Sequence, residues 1–144
     1  MSLKPRLTLA DLVIDGKFLS GYIPSMAWEV EFTDEFGEWW DALSESEQES
    51  VDASVRLLEH YGPTLRYPHS SGVESSKFSA MRELRVQHAG RPYRVLYAFD
   101  PRRVALLLVG GDKTGDTRWY EKFVPVADEL FAHHLEDLAN EQSR

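Results

Sequence analysis

The 144-residue chain is 42% hydrophobic and 12% aromatic, which fits one globular domain with a real core and leaves little room for two. It has no cysteine, which excludes disulfides, thiolate nucleophiles and cysteine-bound metals, and no apolar run long enough to cross a bilayer as a helix. A net charge of −8 argues against a general nucleic-acid coat, and the N-terminal residues lack the pattern of a secretory signal, so a cytoplasmic protein with no membrane partner is expected.

Residues 1–25 share no clear period with the rest of the chain, and "LADLVI" within them suits a short helix. They are expected to form an N-terminal appendage, with residues 26–144 as the folded domain. In "WEVEF" (Trp28 to Phe32) apolar and acidic residues alternate, as on a strand with one buried face. Thr33 then offers a hydroxyl cap and an acidic first turn to a helix in "TDEFGEWWDAL". Ser44 and Glu47 have the spacing of a capping box for a second helix, expected to run to about Tyr61 and to stop at Gly62-Pro63. Its Val51, Val55, Leu57, Leu58 and Tyr61 fall near a three-to-four spacing and are expected to bury one stripe against a sheet.

The stretch "GPTLRYPHSSGVESSKFS" (Gly62 to Ser79) is rich in Ser, Gly and Pro without a period, and reads as a surface loop. Three strands come next, Arg82 to His88, Tyr93 to Phe99 and Val104 to Val109, joined at "HAGR" and "DPRR". Because "VALLLV" is apolar throughout, it is expected to be central and covered on both faces. After the loop "GGDKTGDTR", a short helical "RWYEKF" is expected to precede a C-terminal helix that begins at Pro125. The order β-α-α-β-β-β-α describes an α+β domain: a twisted antiparallel sheet carrying the two N-terminal helices, with a C-terminal helix.

Charge is unevenly spread. From Met81 to Arg118 there are eight basic residues against four acidic ones, a local net of +4 that leaves −12 for the rest of the chain. A basic patch on an acidic body suits a local polyanion site. Strand alternation places Arg85 opposite the side of Leu84 and Val86, and Arg94 opposite the side of Tyr93 and Val95. If the hairpin register brings both to one face, two guanidiniums converge where they can hold a phosphate and stabilise a phosphorane. The plainer alternative is that they are solvated or paired with Glu83 and Asp100.

Lys113 and Arg118 add charge at the end of the sheet, and Trp119 and Tyr120 offer rings on which bases could stack, though Trp119 reads better as a core cap. "GDKTG" lacks the spacing of a phosphate-binding loop. His88 is a candidate proton-transfer residue, or a structural hydrogen-bonding one. His133 and His134 are adjacent on a helix, cannot share a metal, and read as surface residues. Arg82, Arg91 and Tyr93 border these positions, and with Arg118 they are the expected RNA-binding residues. No metal site is expected.

The segments "WEVEFTDEF", "ELR" (Glu83 to Arg85), "YRVLYAFD" (Tyr93 to Asp100) and "LLLVGGDKTGDTRWYEKFVPVADELFAHHL" together resemble the HigB-like branch of the RelE/ParE superfamily of type II toxin-antitoxin toxins, over about Ala27 to Leu138. The resemblance implies a compact RelE-like toxin that enters the ribosomal decoding site and cuts mRNA, silenced by a helix-turn-helix antitoxin. It implies an endoribonuclease without metal or cofactor, in which the ribose 2′-hydroxyl attacks its own 3′ phosphate. By position Arg85, Arg94 and Lys113 match the basic residues of the branch, with Arg118 and Tyr120 contributed by the late loop and helix. Commoner relatives have a Phe-Lys-Lys run where this chain has "GDKT", so one lysine is missing and the proton-transfer residue stays open among His88, Glu83, Tyr93 and Tyr120. A gyrase-poisoning ParE-like toxin and a non-catalytic binding module remain as rival readings.

Overall fold

The alternating "WEVEF" segment supplies a short strand, β1 (Val30–Phe32), and Thr33 turns it into helix α1 (Asp34–Asp41). The Thr33 hydroxyl accepts from the Phe36 N–H at 3.0 Å and donates to the Leu108 carbonyl at 2.7 Å, so one side chain caps the helix and ties it to the sheet. Helix α2 (Glu45–Tyr61) opens on the expected capping box: the Glu47 N–H donates to Ser44 Oγ at 3.1 Å and the Ser44 N–H to Glu47 Oε1 at 2.7 Å. The structure, a computed structural model, describes residues 27–143; the appendage expected at residues 1–25 lies outside the described residues.

The stretch read as a surface loop contains a one-turn 3₁₀ helix (Gly62–Thr64) and an edge strand, β2 (Ser70–Gly72), paired antiparallel to β3 (Arg82–His88). A Ser-Ser-Gly strand has no apolar alternation to announce it, because it is held by backbone pairing and by hydrogen bonds from its serine side chains. β3 turns through Ala89 and Gly90, both at positive φ as a two-residue hairpin turn requires, into β4 (Arg91–Phe99). β5 (Ala105–Asp112) comes next and runs three residues further than expected, absorbing Gly110 and Gly111. Trp39 packs on Gly110 and Trp119 on Gly111, each so close that an added Cβ would lie 2.4 Å and 2.6 Å from the indole.

The sheet order is β1-β5-β4-β3-β2. It is mixed, because β1 runs parallel to β5 while every other pair is antiparallel, and its middle strand is β4 rather than the all-apolar β5. β5 is nonetheless covered on both faces. Leu84, Val86, Tyr93, Val95, Tyr97 and Leu107 pack with α1 and α2 on one side. Leu96, Ala98, Leu106 and Leu108 pack with helix α3 (Trp119–Gln142) on the other.

α3 is one continuous helix with Pro125 inside it, not a short helix succeeded by a second that starts at Pro125. Trp119, Val124, Ala127 and Phe131 bury one stripe that spans the proline, while Glu121, whose carbonyl loses its helical partner, is exposed to water. The result is an α+β fold of the RelE-like kind. Among the described residues no helix is long and apolar enough to cross a membrane.

Candidate active site

The two-residue turn fixes the β3–β4 register so that Arg85 stands directly opposite Arg94. Alternation then puts both, with Glu83, on the face shared with α3. α3 covers the β4–β5 half of this face, so Arg94 is 5% exposed while Arg85 on β3 keeps partial access to solvent.

Glu83, itself 5% exposed, occupies the middle. Its Oε1 accepts from the Tyr120 phenol at 2.5 Å and lies 3.6 Å from Arg94 Nε; its Oε2 accepts from Ser71 Oγ at 2.7 Å and from Arg85 Nη1 at 3.1 Å. Arg94 Nη1 donates to the Tyr93 carbonyl at 3.0 Å, but its buried Nε–H has no acceptor in hydrogen-bond reach. Lys113, at the end of β5, holds its ammonium 5.6 Å from the Tyr120 ring centroid. Tyr67, 69% exposed, lies with its ring centroid 5.0 Å from the Arg85 guanidinium carbon.

Two guanidiniums thus bracket one carboxylate, with the Lys113 ammonium near the Tyr120 ring, and the cluster is net positive. Burial, then the Glu83 carboxylate, pushes the Tyr120 phenol above its ordinary pKa, so it stays a hydrogen-bond donor at neutral pH. An unpaired buried guanidinium N–H costs about 1–3 kcal/mol, and an oxyanion entering between the arginines would satisfy it. Among the described residues no group of three or more His, Cys, Asp or Glu side chains could hold a metal ion.

Of the expected residues, the fold brings Arg85, Arg94, Lys113 and Tyr120 together. His88, Tyr93, Arg82 and Arg91 lie on the opposite face, toward α2. His88 Nδ1 is 2.8 Å from Ser50 Oγ, and its ring meets the Tyr93 ring edge-on. Tyr93 is fully buried and donates to Glu47 at 2.5 Å; burial first, then Glu47, raises its phenol to about 12. Arg91 pairs with Asp112 at 2.7 Å and with Glu47 at 3.6 Å. Arg82 donates to Ser70 Oγ and to the Leu65 carbonyl, both at 3.2 Å, and so clips the segment before β2 to the sheet.

Arg118 is exposed at the start of α3 and pairs with Glu121 at 2.8 Å, while Trp119 is the expected core cap. Arg102 bridges Asp100 at 2.7 Å and Glu31 at 2.8 Å, and Arg103 lies over the Trp28 ring. His133 is exposed, but His134 is not simply a surface residue: its Nε2 is 2.8 Å from the buried Asp100 carboxylate. Sequence reasoning missed Tyr67 and Ser71, which come from the stretch read as a loop. The signal was the odd spacing of polar and aromatic residues in "YPHSS".

Residues 38–132 match the family described as "Phage derived protein Gp49-like (DUF891)", a span that holds Glu83, Arg85, Arg94, Lys113 and Tyr120. The chain is 47% identical over 92 residues to "Putative toxin HigB3" of Mycobacterium tuberculosis, covering 63% of this chain and 79% of that protein. It is 38% identical over 113 residues to "Putative toxin HigB2" of the same organism, covering 77% of this chain and 56% of that protein. With the family match spanning well over half its length, the chain belongs to the Gp49-like family and is a HigB-like toxin of a toxin-antitoxin system.

Proposed function

We propose that this toxin is a metal-independent endoribonuclease that cuts messenger RNA on the ribosome, in the cytoplasm, and is silenced by a cognate helix-turn-helix antitoxin. The observation that carries the reading is the buried, unpaired Arg94 Nε–H beside its register partner Arg85, with Glu83 sitting where an anion is wanted. A scissile phosphate enters this cluster in competition with Glu83. Arg85 and Arg94 donate to its non-bridging oxygens, and Lys113 adds charge as the phosphorane forms. The 2′-oxygen bonds to phosphorus and the bond to O5′ breaks, leaving a 2′,3′-cyclic phosphate and a 5′-hydroxyl. No cofactor takes part.

The acidic remainder of the toxin repels bulk RNA, so presentation of one nucleotide by the ribosome in place of free RNA accounts for a −8 protein acting on a polyanion. An antitoxin segment with acidic or aromatic side chains would cover the same basic face.

The test is to induce the wild type and an Arg85→Ala/Lys113→Ala variant in bacteria that lack an antitoxin and to map mRNA 5′ ends. Codon-phased cleavage by the wild type alone is expected. Growth arrest without cleavage would favour a protein target such as gyrase and overturn the nuclease reading; equal arrest by the variant would overturn the active-site assignment.

A further inference from the structure

Attack by a ribose 2′-hydroxyl needs an acceptor for its proton beside the clamped phosphate, and most candidate groups are engaged otherwise. His88 and Tyr93 are on the far face, against Ser50 and Glu47. Glu83 already accepts from Tyr120, Ser71 and Arg85. Tyr120 donates to Glu83 and holds its proton, and Lys113, Arg85 and Arg94 are cations.

One group on this face has no such engagement. Pairing of β2 with β3 extends a residue beyond the strand: the Arg85 N–H donates to the His69 carbonyl at 2.8 Å. His69 therefore stands across from Arg85 as Arg85 stands across from Arg94, three positions in a row over three strands. Its neighbours two residues away on either side both reach the clamp, Tyr67 over the Arg85 guanidinium and Ser71 onto Glu83. In sequence His69 lies between them, in the turn that leads into β2. Its imidazole is exposed and has no hydrogen-bond partner among the described residues. Cβ atoms of directly opposed residues are about 5 Å apart, close enough for the imidazole to reach the ribose of a nucleotide whose phosphate Arg85 holds.

We propose that His69 is the catalytic base of this toxin. Its neutral imidazole takes the 2′-hydroxyl proton as the O2′–P bond forms, and the departing O5′ takes a proton from water. The charged and titratable groups of this face are Arg85 on β3, Arg94 on β4, Tyr120 on α3, Lys113 just past β5 and the Glu83 carboxylate. The assignment rests on the endoribonuclease reading.

The experiment uses purified full-length toxin and bacterial ribosomes programmed with a defined messenger. Wild type and His69→Gln are compared for single-turnover cleavage from pH 5.5 to 8.5, and for binding to the same complex carrying a 2′-deoxy nucleotide at the cut position. His69→Gln should bind the deoxy complex as the wild type does, cleave about 10²–10⁴-fold more slowly, and lose the fall in rate toward low pH that the wild type shows. Added imidazole should restore part of the rate of His69→Ala. If the wild type cleaves and His69→Gln matches it in rate and pH profile, the assignment to His69 is overturned while the nuclease stands. If the wild type cuts nothing on programmed ribosomes, the nuclease reading falls and this inference falls with it.

Discussion

Arg85 and Arg94 face each other across the β3–β4 hairpin, and the carboxylate they share belongs to Glu83, two residues before Arg85 on the same strand face. One short segment therefore carries both halves of a charge balance: a pair of guanidiniums and the carboxylate between them. Alternation enforces this, since residues 83 and 85 must point the same way on a regular strand. The balance is incomplete at Arg94, whose buried Nε–H lacks an acceptor that the proposed phosphate would supply.

Arg85→Ala is expected to lower cleavage on programmed ribosomes by about 10²–10³-fold, the usual cost of deleting one donor to a developing oxyanion. Arg85 also donates to the buried Glu83 carboxylate, so the melting temperature should fall modestly too, and the rates are compared at a temperature where both proteins are folded. A variant that cuts at the wild-type rate would remove Arg85 from the chemistry.

Glu83→Gln should act in opposite directions on stability and on binding. The amide loses the charge-assisted bonds to Arg85 and Tyr120, which on the scale of about 1–3 kcal/mol for such buried contacts should lower the unfolding free energy measurably in a denaturant titration. Both guanidiniums then lack their resting anion, so a short uncleavable deoxyoligonucleotide should bind more tightly than to the wild type. Weaker binding would mean that Glu83 aligns the arginines instead of competing with the phosphate.

Much of this face was legible in the sequence because a two-residue turn and strict alternation leave no freedom: Leu84 and Val86 inward put Arg85 outward, and the register is then fixed. The same rule would have placed His88 with Leu84 and Val86, and Arg91 with Tyr93, on the α2 face, where the structure has them. Their polarity suggested the site, but α2 offers Ser50 and Glu47 as partners and makes that face hospitable to polar groups. β2 was hidden for a different reason: a three-residue edge strand has neither a period nor a core contribution of its own. Pro125 misled because burial of Trp119, Val124, Ala127 and Phe131 along one helix outweighs one missing backbone hydrogen bond.

Acid stability should depend on Glu47. Its carboxyl drops from 4.5 to about 2, chiefly because the Ser44 backbone N–H donates to it, with the Tyr93 phenol next. A depressed carboxyl favours the folded state above its unfolded value and loses that contribution as protons bind. The melting temperature should therefore be insensitive to this group above pH 4.5 and fall as pH drops toward 2. Glu47→Gln should melt lower than the wild type at about pH 6, with the gap narrowing below about pH 4. A gap that stays constant across that range would show that the carboxylate charge is not what holds the capping box to Tyr93.

Tyr120→Phe separates the phenol from the ring. The ring keeps its edge contact with Trp119 and stays beneath the Lys113 ammonium, so α3 should remain docked. Only the hydrogen bond to Glu83 Oε1 disappears, which leaves that oxygen, now 3.6 Å from Arg94 Nε, free to close to hydrogen-bond distance. A carboxylate drawn onto Arg94 competes harder with the phosphate. The expected result is a KM raised several-fold with a smaller change in kcat, measured by steady-state cleavage on programmed ribosomes. A fall in kcat alone would instead make the phenol a participant in the transition state, donating to the phosphorane or to the leaving 5′-oxygen.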